Sequence, residues 1–316
     1  MAILVSGATG FMGSTITRHL LAAGFVVRAM SRSRARAVTA LAADDVGRRA
    51  LSDGRLTFVE ADVTQPDSLP AAVDGVDTII QAAQFNGAPV EDPARGLTYQ
   101  AVDRDGTLNL LDAARRTRPR FLYMSGISVS PRATRPWDRA KWQAEVAIEA
   151  SGLEWTVVRG CWAYGPEDSA LNRILHYSDH LPFVPIFGDG RAPLSPIFVE
   201  DVGRFFTLAM QHPQECRNTV FGVGGPETMT LVEFLEAALR SMGRHRPILR
   251  IPKPVGKLQA GVMQYLPGRP LTPDAVDFVS QAGALTHDDR RLLRERLPEF
   301  QPTAVEEGLR YLRTGA

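Results

Sequence analysis

The chain opens with residues 2–13, AILVSGATGFMG, in which a short apolar run leads directly into glycines at positions 7, 10 and 13. A helical pattern follows from Ser14 to Ala23 and ends at Gly24, and Phe25 to Met30 predicts a second strand. Strand, glycine turn, helix and strand in this order are typical of a dinucleotide-binding unit. The glycines permit a tight turn, close approach of the backbone to a pyrophosphate, and close packing of the helix on the strand.

Contacts to that pyrophosphate are expected within the turn and the first helical residues. The free N–H groups that open a helix, together with the helix dipole, favour a bound anion. The candidate cofactor-binding residues of this segment are Gly7, Thr9, Gly10, Phe11, Met12 and Gly13. The alternative is a glycine-rich turn that binds no ligand.

The end of the second strand bears on which dinucleotide is bound. NAD-binding proteins place an acidic residue there against the ribose 2′-hydroxyl, whereas NADP-binding proteins place arginine. Here Ser31 and Arg32 end the strand, and no carboxylate occurs before Asp44. Because a guanidinium can bind phosphate bidentately, Arg32, helped by the Ser31 hydroxyl, predicts NADP(H) as the cofactor. A solvated helix face is the alternative explanation for such arginines, and we keep it for Arg36.

Two later segments are also expected at the cofactor. Asp62 and Val63 follow the predicted strand at 56–60, where a side chain can hydrogen-bond the adenine amino group. Ala82 and Ala83 end a buried strand, and their small side chains let the backbone approach the ribose and diphosphate.

Composition indicates an ordinary globular protein of 316 residues, with 44% hydrophobic residues, 22% charged residues and a formal net charge of +1. This balance gives no electrostatic reason to expect nucleic acid as a partner. Cys161 and Cys216 lack metal-site spacing, so we expect no metal and a reducing compartment. A core strand that begins at residue 2 argues against a signal peptide, and no apolar run is long enough for an integral membrane segment. We therefore expect a cytoplasmic monomer or homodimer that acts on a small-molecule substrate.

Strands and helices alternate along the chain as far as the sixth strand, which predicts an α/β fold with a Rossmann doubly wound parallel sheet. The expected NADP-binding core is 1–165, completed by 197–222, and residues 166–196 with 223–316 are expected to form a second lobe.

Three finer predictions concern helices and loops. Residues 37–51 and 97–116 are each expected to form one continuous helix, and residues 86–89 a loop. Residues 252–266 predict an amphipathic helix that packs against the lobe through Val255, Leu258, Val262 and Leu266.

The candidate chemistry lies near the middle of the chain. Ser125 ends the predicted fifth strand at the carboxyl edge of the sheet, where doubly wound folds bind ligands. Trp137 and Lys141 lie one turn apart on one face of the predicted helix at 137–150.

Taken together, these residues resemble the extended short-chain dehydrogenase/reductase superfamily, and within it the atypical branch that includes NmrA-like proteins and relatives of the 39-kDa accessory subunit of respiratory complex I. The likeness extends nearly from end to end, in the order GATGFMG, Asp62-Val63, IIQAA, FLYMS, SGLEWTVVRG, YGP, PIFVEDV, GGPETMTLVEF and EEGL. It implies a Rossmann lobe followed by a small substrate-binding lobe.

Departures from that pattern decide what the resemblance implies for catalysis. Dehydrogenases of this superfamily use Tyr-x-x-x-Lys with a serine one strand earlier; here Ser125 and Lys141 occupy their positions, but Trp137 replaces the tyrosine. An indole donates a hydrogen bond but cannot cycle a proton near neutral pH. Asp103 replaces the usual asparagine of the proton-relay network. The Arg-Pro that follows strand six is altered at its proline, which leaves Arg159 as a candidate cofactor contact.

Three functions remain open. The first is an NADPH-dependent reductase of a small apolar, aromatic or quinoid substrate. In it Lys141 either serves as the acid or only holds the nicotinamide ribose, while Tyr164 or a water held by Ser125 donates the proton. Aromatic residues expected in the cap would suit a flat substrate or simply pack in its core: Trp162, Tyr164, Tyr177, Phe183 and Phe187. The second is a non-catalytic NADP(H)-binding regulatory protein, and the third is a non-redox cyclase or isomerase.

Overall fold

The computed structural model describes residues 1–85, 90–263, 276 and 283–313. The predicted loop at 86–89 and the end of the predicted helix, 264–266, lie outside the described residues. The side chains of Tyr177 and Val262 lie outside them as well.

A parallel sheet forms the centre of the protein. In chain order the strands are β1 Ala2–Ser6, β2 Val26–Ser31, β3 Leu56–Glu60, β4 Thr78–Gln81, β5 Arg120–Gly126, β6 Trp155–Gly160, β7 Ala163–Tyr164, β8 Val184–Phe187, β9 Pro193–Leu194, β10 Ile197–Phe198, β11 Thr219–Val223, β12 Met229–Thr230 and β13 Ile248–Ile251. Seven of them pair in the order β11-β6-β5-β4-β1-β2-β3. The order reverses between β1 and β4, where doubly wound sheets open their ligand crevice. The predicted Rossmann-type α/β fold is confirmed.

Helices cover both faces of this sheet. They are α1 Phe11–Ala22, α2 Arg34–Leu41, α3 Asp45–Ser52, α4 Leu69–Val73, α5 Gly106–Ala114, α6 Pro136–Ala150, α7 Ser169–His180, α8 Val199–Gln211, α9 Pro213–Cys216, α10 Leu231–Ser241 and α11 Lys253–Met263, followed by His287–Arg296 and Val305–Leu309. In β1, Ile3 and Val5 join the core under α1 and α8, whereas Leu4 joins the core under α4, α5 and α6. This alternation is what a strand buried on both faces produces.

A third hydrophobic cluster lies beyond the sheet. It joins α7, β8 and α10, with Leu171, Ile186 and Phe234 among its fully buried members. The pairs β8–β13 and β9–β12 lie in the same part of the chain. The division of the chain into a nucleotide-binding core and a substrate-binding lobe stays a prediction.

The predicted helix at 37–51 is wrong in one respect, because the structure divides it into α2 and α3. Asp44 begins α3, and its carboxylate accepts a hydrogen bond of 2.7 Å from the Gly47 backbone N–H. A Cβ at Gly47 would lie only 1.6 Å from the Leu41 carbonyl oxygen, so the close turn between the two helices requires glycine there.

The predicted helix at 97–116 is also not uniform. Gln100–Asp105 is wound as a π-helix, and α5 continues from it. Segments of π-helix are rare and occur frequently at functional sites. This one carries Asp103, whose side chain is fully buried.

The predicted packing face of α11 is wrong at the two positions whose side chains the structure describes. Val255 and Leu258 are 45% and 76% exposed, respectively. The helix instead packs through small residues: Ala260 is fully buried, and a Cβ at Gly256 would lie 2.4 Å from the Phe187 ring. A helical pattern of large apolar side chains led to the prediction, but in the structure the close contacts of α11 are made by glycine and alanine.

Candidate functional site

The glycine turn fits closely against β4. Gly7 has φ +66°, in the left-handed region that favours glycine, and a Cβ there would lie 2.6 Å from Ala83 Cα. A Cβ at Gly13 would lie 2.1 Å from the Gly7 carbonyl oxygen, whereas one at Gly10 would lie 3.3 Å from the same atom. Gly7 and Gly13 are therefore required by the turn itself, and Gly10 is the glycine that the fold constrains least.

The N-terminus of α1 is open to solvent at this point. Gly10 is the exposed N-cap, no side chain among the described residues caps the helix, and its first turn contains no acidic residue. Thr9, Phe11 and Met12 are partly exposed beside it. Unpaired N–H groups and the positive end of a twelve-residue helix suit a diphosphate, so the residues present fit the cofactor that the sequence predicts.

A buried polar chain connects the turn to the π-helix. Ser6 Oγ accepts hydrogen bonds from the backbone N–H groups at 82 and 83 and also bonds the Gln81 side chain. Gln81 Nε2 donates to Thr107 Oγ1 at 3.1 Å, and Thr107 in turn donates to the Asp103 carbonyl at 2.7 Å. Ser6, Gln81 and Thr107 were missed as supporting residues, although polar residues in otherwise apolar, buried segments were the available signal.

The end of β2 combines an exposed arginine with a neighbouring carboxylate. Arg32 is exposed and makes no ion pair with any residue that the structure describes, while Arg34 is engaged by the Phe58 carbonyl and ring. Ser31 is nearly buried and its hydroxyl accepts from the Ser33 N–H. The pairing of β2 with β3 also places Glu60 opposite Ser31. Reading along the chain alone did not find this carboxylate.

The remaining predicted cofactor contacts differ in their burial and in the hydrogen bonds that they already make within the protein. Asp62 Oδ1 accepts two bonds of 2.9 Å from Thr64, so that oxygen is held within its own turn. Val63 is buried, and a Cβ at Gly106 would lie 2.6 Å from it. Ala82 is also buried, and Ala83 is partly exposed beside the glycine turn.

Lys141 is enclosed by protein groups. Its side chain has no exposed surface; Nζ donates to the Met124 carbonyl at 3.0 Å and lies 3.2 Å from Asp103 Oδ1. Nζ also lies over the rings of Tyr123 and Trp137, at 5.1 and 5.6 Å from their centroids. Such positions over aromatic faces stabilise a cation electrostatically.

The partner of this lysine is equally buried. Asp103 Oδ2 accepts the Phe85 backbone N–H at 3.0 Å, and Oδ1 lies 3.2 Å from Lys141 Nζ but accepts no hydrogen bond of normal geometry from the residues that the structure describes. Burial raises the pKa of Asp103, while the Lys141 charge and the Phe85 N–H oppose that rise. Burial likewise raises the pKa of Tyr123, whose hydroxyl has no partner among the described residues.

Ser125 belongs to a second buried network. Its hydroxyl donates to Glu145 Oε1, and Arg159 donates to both oxygens of the same carboxylate, the shortest of the arginine's bonds being 2.6 Å. Glu145 is fully buried and was missed by the sequence analysis. It lies four residues after Lys141 on the inner face of α6, and that spacing was the available signal.

Trp137 closes one side of Lys141. The indole is partly buried and lies so near β5 that a Cβ at Gly126 would be 2.2 Å from its Cη2. It packs beside Phe85 and Tyr99. Gly126 at the end of β5 is therefore what leaves room for a side chain larger than tyrosine.

Tyr164 lies in the third hydrophobic cluster and not among the groups around Lys141. It is fully buried between Phe198 and Phe234, and its hydroxyl donates to the Val305 carbonyl. Burial also raises the pKa of its phenol. A buried phenol with its proton already committed is unsuited to proton donation, so we withdraw Tyr164 as a catalytic candidate.

A polar cleft of about 480 Å³ lies between the π-helix and the start of α6. It is lined by Glu91, Thr98, Gln100, Ala101, Asp105, Pro136, Arg139, Ala140 and Gln143. These side chains are mostly polar, in contrast to the apolar pocket expected for an aromatic substrate. Of the aromatic residues expected in the cap, Trp162 packs against Phe234 and donates to Asp168, as the alternative of core packing predicts.

The fold and the glycine turn define a Rossmann protein of the short-chain dehydrogenase/reductase type. More specifically, the chain belongs to the NAD dependent epimerase/dehydratase family, whose pattern matches residues 3–224. The predicted resemblance to extended short-chain dehydrogenases is thereby confirmed. In the parts of the chain that are described, no helix is both long and apolar enough to cross a membrane.

Three curated relatives illustrate the range of roles. The chain is 23% identical over 305 residues to the Arabidopsis thaliana mitochondrial NADH dehydrogenase [ubiquinone] 1 alpha subcomplex subunit 9, covering 94% of this chain and 72% of that protein. It is 28% identical over 254 residues to photosystem II assembly factor Ycf39 of Cyanophora paradoxa, covering 80% and 72%. It is 30% identical over 260 residues to the Zea mays chloroplastic divinyl chlorophyllide a 8-vinyl-reductase, covering 79% and 61%.

Solved structures agree on the fold. UDP-glucuronic acid 4-epimerase from Bacillus cereus, in complex with NAD, aligns with a TM-score of 0.73 at 18% identity, over 100% of this chain and 96% of that one. UDP-glucose 4-epimerase from Thermotoga maritima aligns with a TM-score of 0.73 at 20% identity, over 100% and 98%. At such identities the likeness establishes the architecture only.

Proposed function

We propose that this protein binds NADP(H) at the glycine turn and acts through that binding, without turning the dinucleotide over. The burial of Lys141 carries the proposal. A lysine that holds the nicotinamide ribose needs N–H groups that reach the crevice. The Lys141 ammonium has no exposed surface and is already paired with the Met124 carbonyl and Asp103.

The other candidates for proton transfer support the same conclusion. Trp137 cannot release a proton near neutral pH, and the Ser125 proton is donated to Glu145. Tyr164 is buried elsewhere. None of these groups therefore combines access to the crevice with a proton that it can give up.

For binding, by contrast, the chain offers suitable groups. The backbone at Gly10, Phe11 and Met12 would hold the diphosphate, and Arg32 would pair with the 2′-phosphate. Both hydrogen bonds from Thr64 go to Asp62 Oδ1, so Oδ2 would accept a hydrogen bond from the adenine amino group. When bound, the nicotinamide is a hydride carrier, but these residues only position it.

Two relatives favour a role of this kind. One is named as a subunit of NADH dehydrogenase and another as a photosystem II assembly factor. We infer by analogy that this protein regulates or assists other proteins in a dinucleotide-dependent way.

Calorimetric titration with NADPH tests the binding half of the proposal. We expect saturable binding at one site per chain, and loss of that binding in Gly10→Val, whose side chain would occupy the space of the diphosphate. The variant should keep the circular dichroism spectrum of the parent. Absence of NADPH and NADH binding by the folded parent would refute the proposal.

A reductase is the second candidate, and one observation favours it. The chain is 30% identical to a protein named as a divinyl chlorophyllide vinyl-reductase. Reduction of a conjugated acceptor needs less help from an acid than reduction of a ketone, since the developing negative charge is delocalised. Recovery of deuterium in a product formed from 4-deuterated NADPH would establish this alternative.

A further inference from the structure

Two histidines lie one helical turn apart on the outer surface of α7. The Nε2 atoms of His176 and His180 are 3.1 Å apart, and their ring centroids are 4.5 Å apart. Both side chains are exposed. The pair is separate from the glycine turn and from the residues around Lys141, so the proposed function does not account for it.

The distance between these two nitrogen atoms is suitable for both of them to bind one metal ion. Metal–imidazole bonds are about 2.0 to 2.1 Å long, so one ion bound by both atoms at their present separation would subtend roughly 95 to 100°. That angle is near the 90° between adjacent ligands in square-planar or octahedral complexes. Tetragonal sites built from nitrogen and oxygen are typical of Cu²⁺ and Ni²⁺.

A neighbouring carboxylate supports this arrangement. Asp179 Oδ2 lies 3.6 Å from His176 Nδ1, on the far side of the ring from Nε2. Asp179 is itself held by Arg244 at 2.7 Å. A carboxylate near the second ring nitrogen favours the tautomer with its proton on Nδ1, which leaves Nε2 as an acceptor for a metal.

We propose that His176 and His180 form a two-histidine site for a divalent transition-metal ion of the copper and nickel class. In the metal-free pair, the His176 tautomer with its proton on Nδ1 makes His180 Nε2–H the hydrogen-bond donor and His176 Nε2 the acceptor. Binding shifts that Nε2 proton to Nδ1 of His180, after which both Nε2 lone pairs face the ion. Among the described residues no group of three His, Cys, Asp or Glu side chains forms a metal site, so water completes the coordination.

Binding of an ion there would stabilise the part of the protein that α7 joins. The opposite face of the helix contributes Leu171, Ile174 and Leu175 to the third hydrophobic cluster. A chelate across one turn exists only while α7 is helical. The ion therefore binds the folded state in preference to the unfolded state and raises the melting temperature.

The test is calorimetric and spectroscopic titration of the full chain with CuCl₂ and, separately, NiCl₂. We expect one saturable site with Cu²⁺ tighter than Ni²⁺, no saturable binding of Mg²⁺, and nitrogen coordination in the electron paramagnetic resonance spectrum of the Cu²⁺ form. His176→Ala and His180→Ala should each abolish the saturable site, and Asp179→Asn should weaken it by about tenfold. His287→Ala, on another exposed helix, is the matched control and should bind as the parent does.

Two results would overturn the proposal. One is equal Cu²⁺ binding by the parent and by the His176→Ala/His180→Ala double variant, which would place the ion at another group. The other is the absence of saturable binding by any of these proteins. Because both histidines are exposed, the variants should retain the melting temperature of the metal-free parent, which separates loss of the site from loss of the fold.

Discussion

Lys141 and Asp103 form an ion pair in which neither side chain has any exposed surface, with Nζ and Oδ1 3.2 Å apart. The pair joins α6 to the π-helix that precedes α5. In the superfamily that this chain resembles, the lysine faces the cofactor, and asparagine stands where Asp103 does. The Asp103 carboxyl at that position pairs with the ammonium inside the protein, which supports the proposal that this lysine is a structural group.

Replacing Lys141 by methionine should destabilise the protein by about 3 to 5 kcal/mol, because Asp103 would be left buried without its cation. The loss should be greater at pH 8 than at pH 5. Burial raises the pKa of Asp103 and the Lys141 charge opposes that rise, so removal of the charge raises that pKa further above the value in the unfolded chain. A carboxyl with such a raised pKa favours folding at low pH, and that contribution is lost as the pH rises through the folded-state pKa, so the variant loses more stability than the parent does.

Urea denaturation at both pH values measures this effect. Arg115→Met is the control, because its partner Asp112 is exposed and the stability should hardly change. The double variant Lys141→Met/Asp103→Leu should recover most of the lost stability. A Lys141→Met protein as stable as the parent at pH 8 would mean that the pair is not buried in solution.

Substitutions in the glycine turn should separate folding from binding. Gly10→Ala should fold with little loss of stability, since its Cβ would lie 3.3 Å from the nearest backbone atom, but it should bind NADPH more weakly. Gly13→Ala should be strongly destabilised, since its Cβ would lie 2.1 Å from the Gly7 carbonyl. Thermal unfolding with and without NADPH measures both effects. Unchanged NADPH affinity in Gly10→Ala would remove the turn from the binding site.

The choice of dinucleotide should depend on Arg32. We expect NADPH to bind roughly tenfold more tightly than NADH, and Arg32→Ala to remove that difference, because the guanidinium is the exposed cation at the end of β2. Arg36→Ala is the matched control. Calorimetry with both cofactors decides. Equal affinities in the parent would contradict the role of Arg32, and tighter binding of NADH would indicate that Glu60, opposite Ser31, directs the site toward NAD.

Loss of the buried Glu145 carboxylate should lower the stability of the protein. Glu145→Ala leaves Arg159 and Ser125 without their shared acceptor and should cost about 3 kcal/mol, whereas Ser125→Ala should cost about 1 kcal/mol. Glu149→Ala, on the exposed face of the same helix, should be neutral. If Glu145→Ala unfolds at the same urea concentration as Glu149→Ala, the network contributes nothing.

The sequence was most informative where a backbone requirement shows directly in residue type. Gly7 and Gly13 identified the turn, and the alternation of apolar segments identified the sheet. The capping box at Thr230 and Glu233, which begins α10, likewise depends only on residue type and local spacing.

What the sequence could not supply was the tertiary environment of single polar groups. The sequence did not show whether Lys141 is accessible to solvent. Its accessibility depends on Asp103, Met124 and Trp137, which come together around it from three elements. The position of Glu60 beside Ser31 follows from strand pairing and not from chain order. The same is true of the Val305 carbonyl that accepts the Tyr164 proton.

The absorbance of bound NADPH at 340 nm, followed across a panel of quinones, enones and aldehydes, tests most directly the claim that this protein binds its dinucleotide without turning it over. At protein concentrations that calorimetry shows to be saturated, we predict that NADPH disappears no faster than in Gly10→Val or in protein-free controls. Sustained oxidation of NADPH by the parent with any acceptor, abolished by Gly10→Val, would contradict the account.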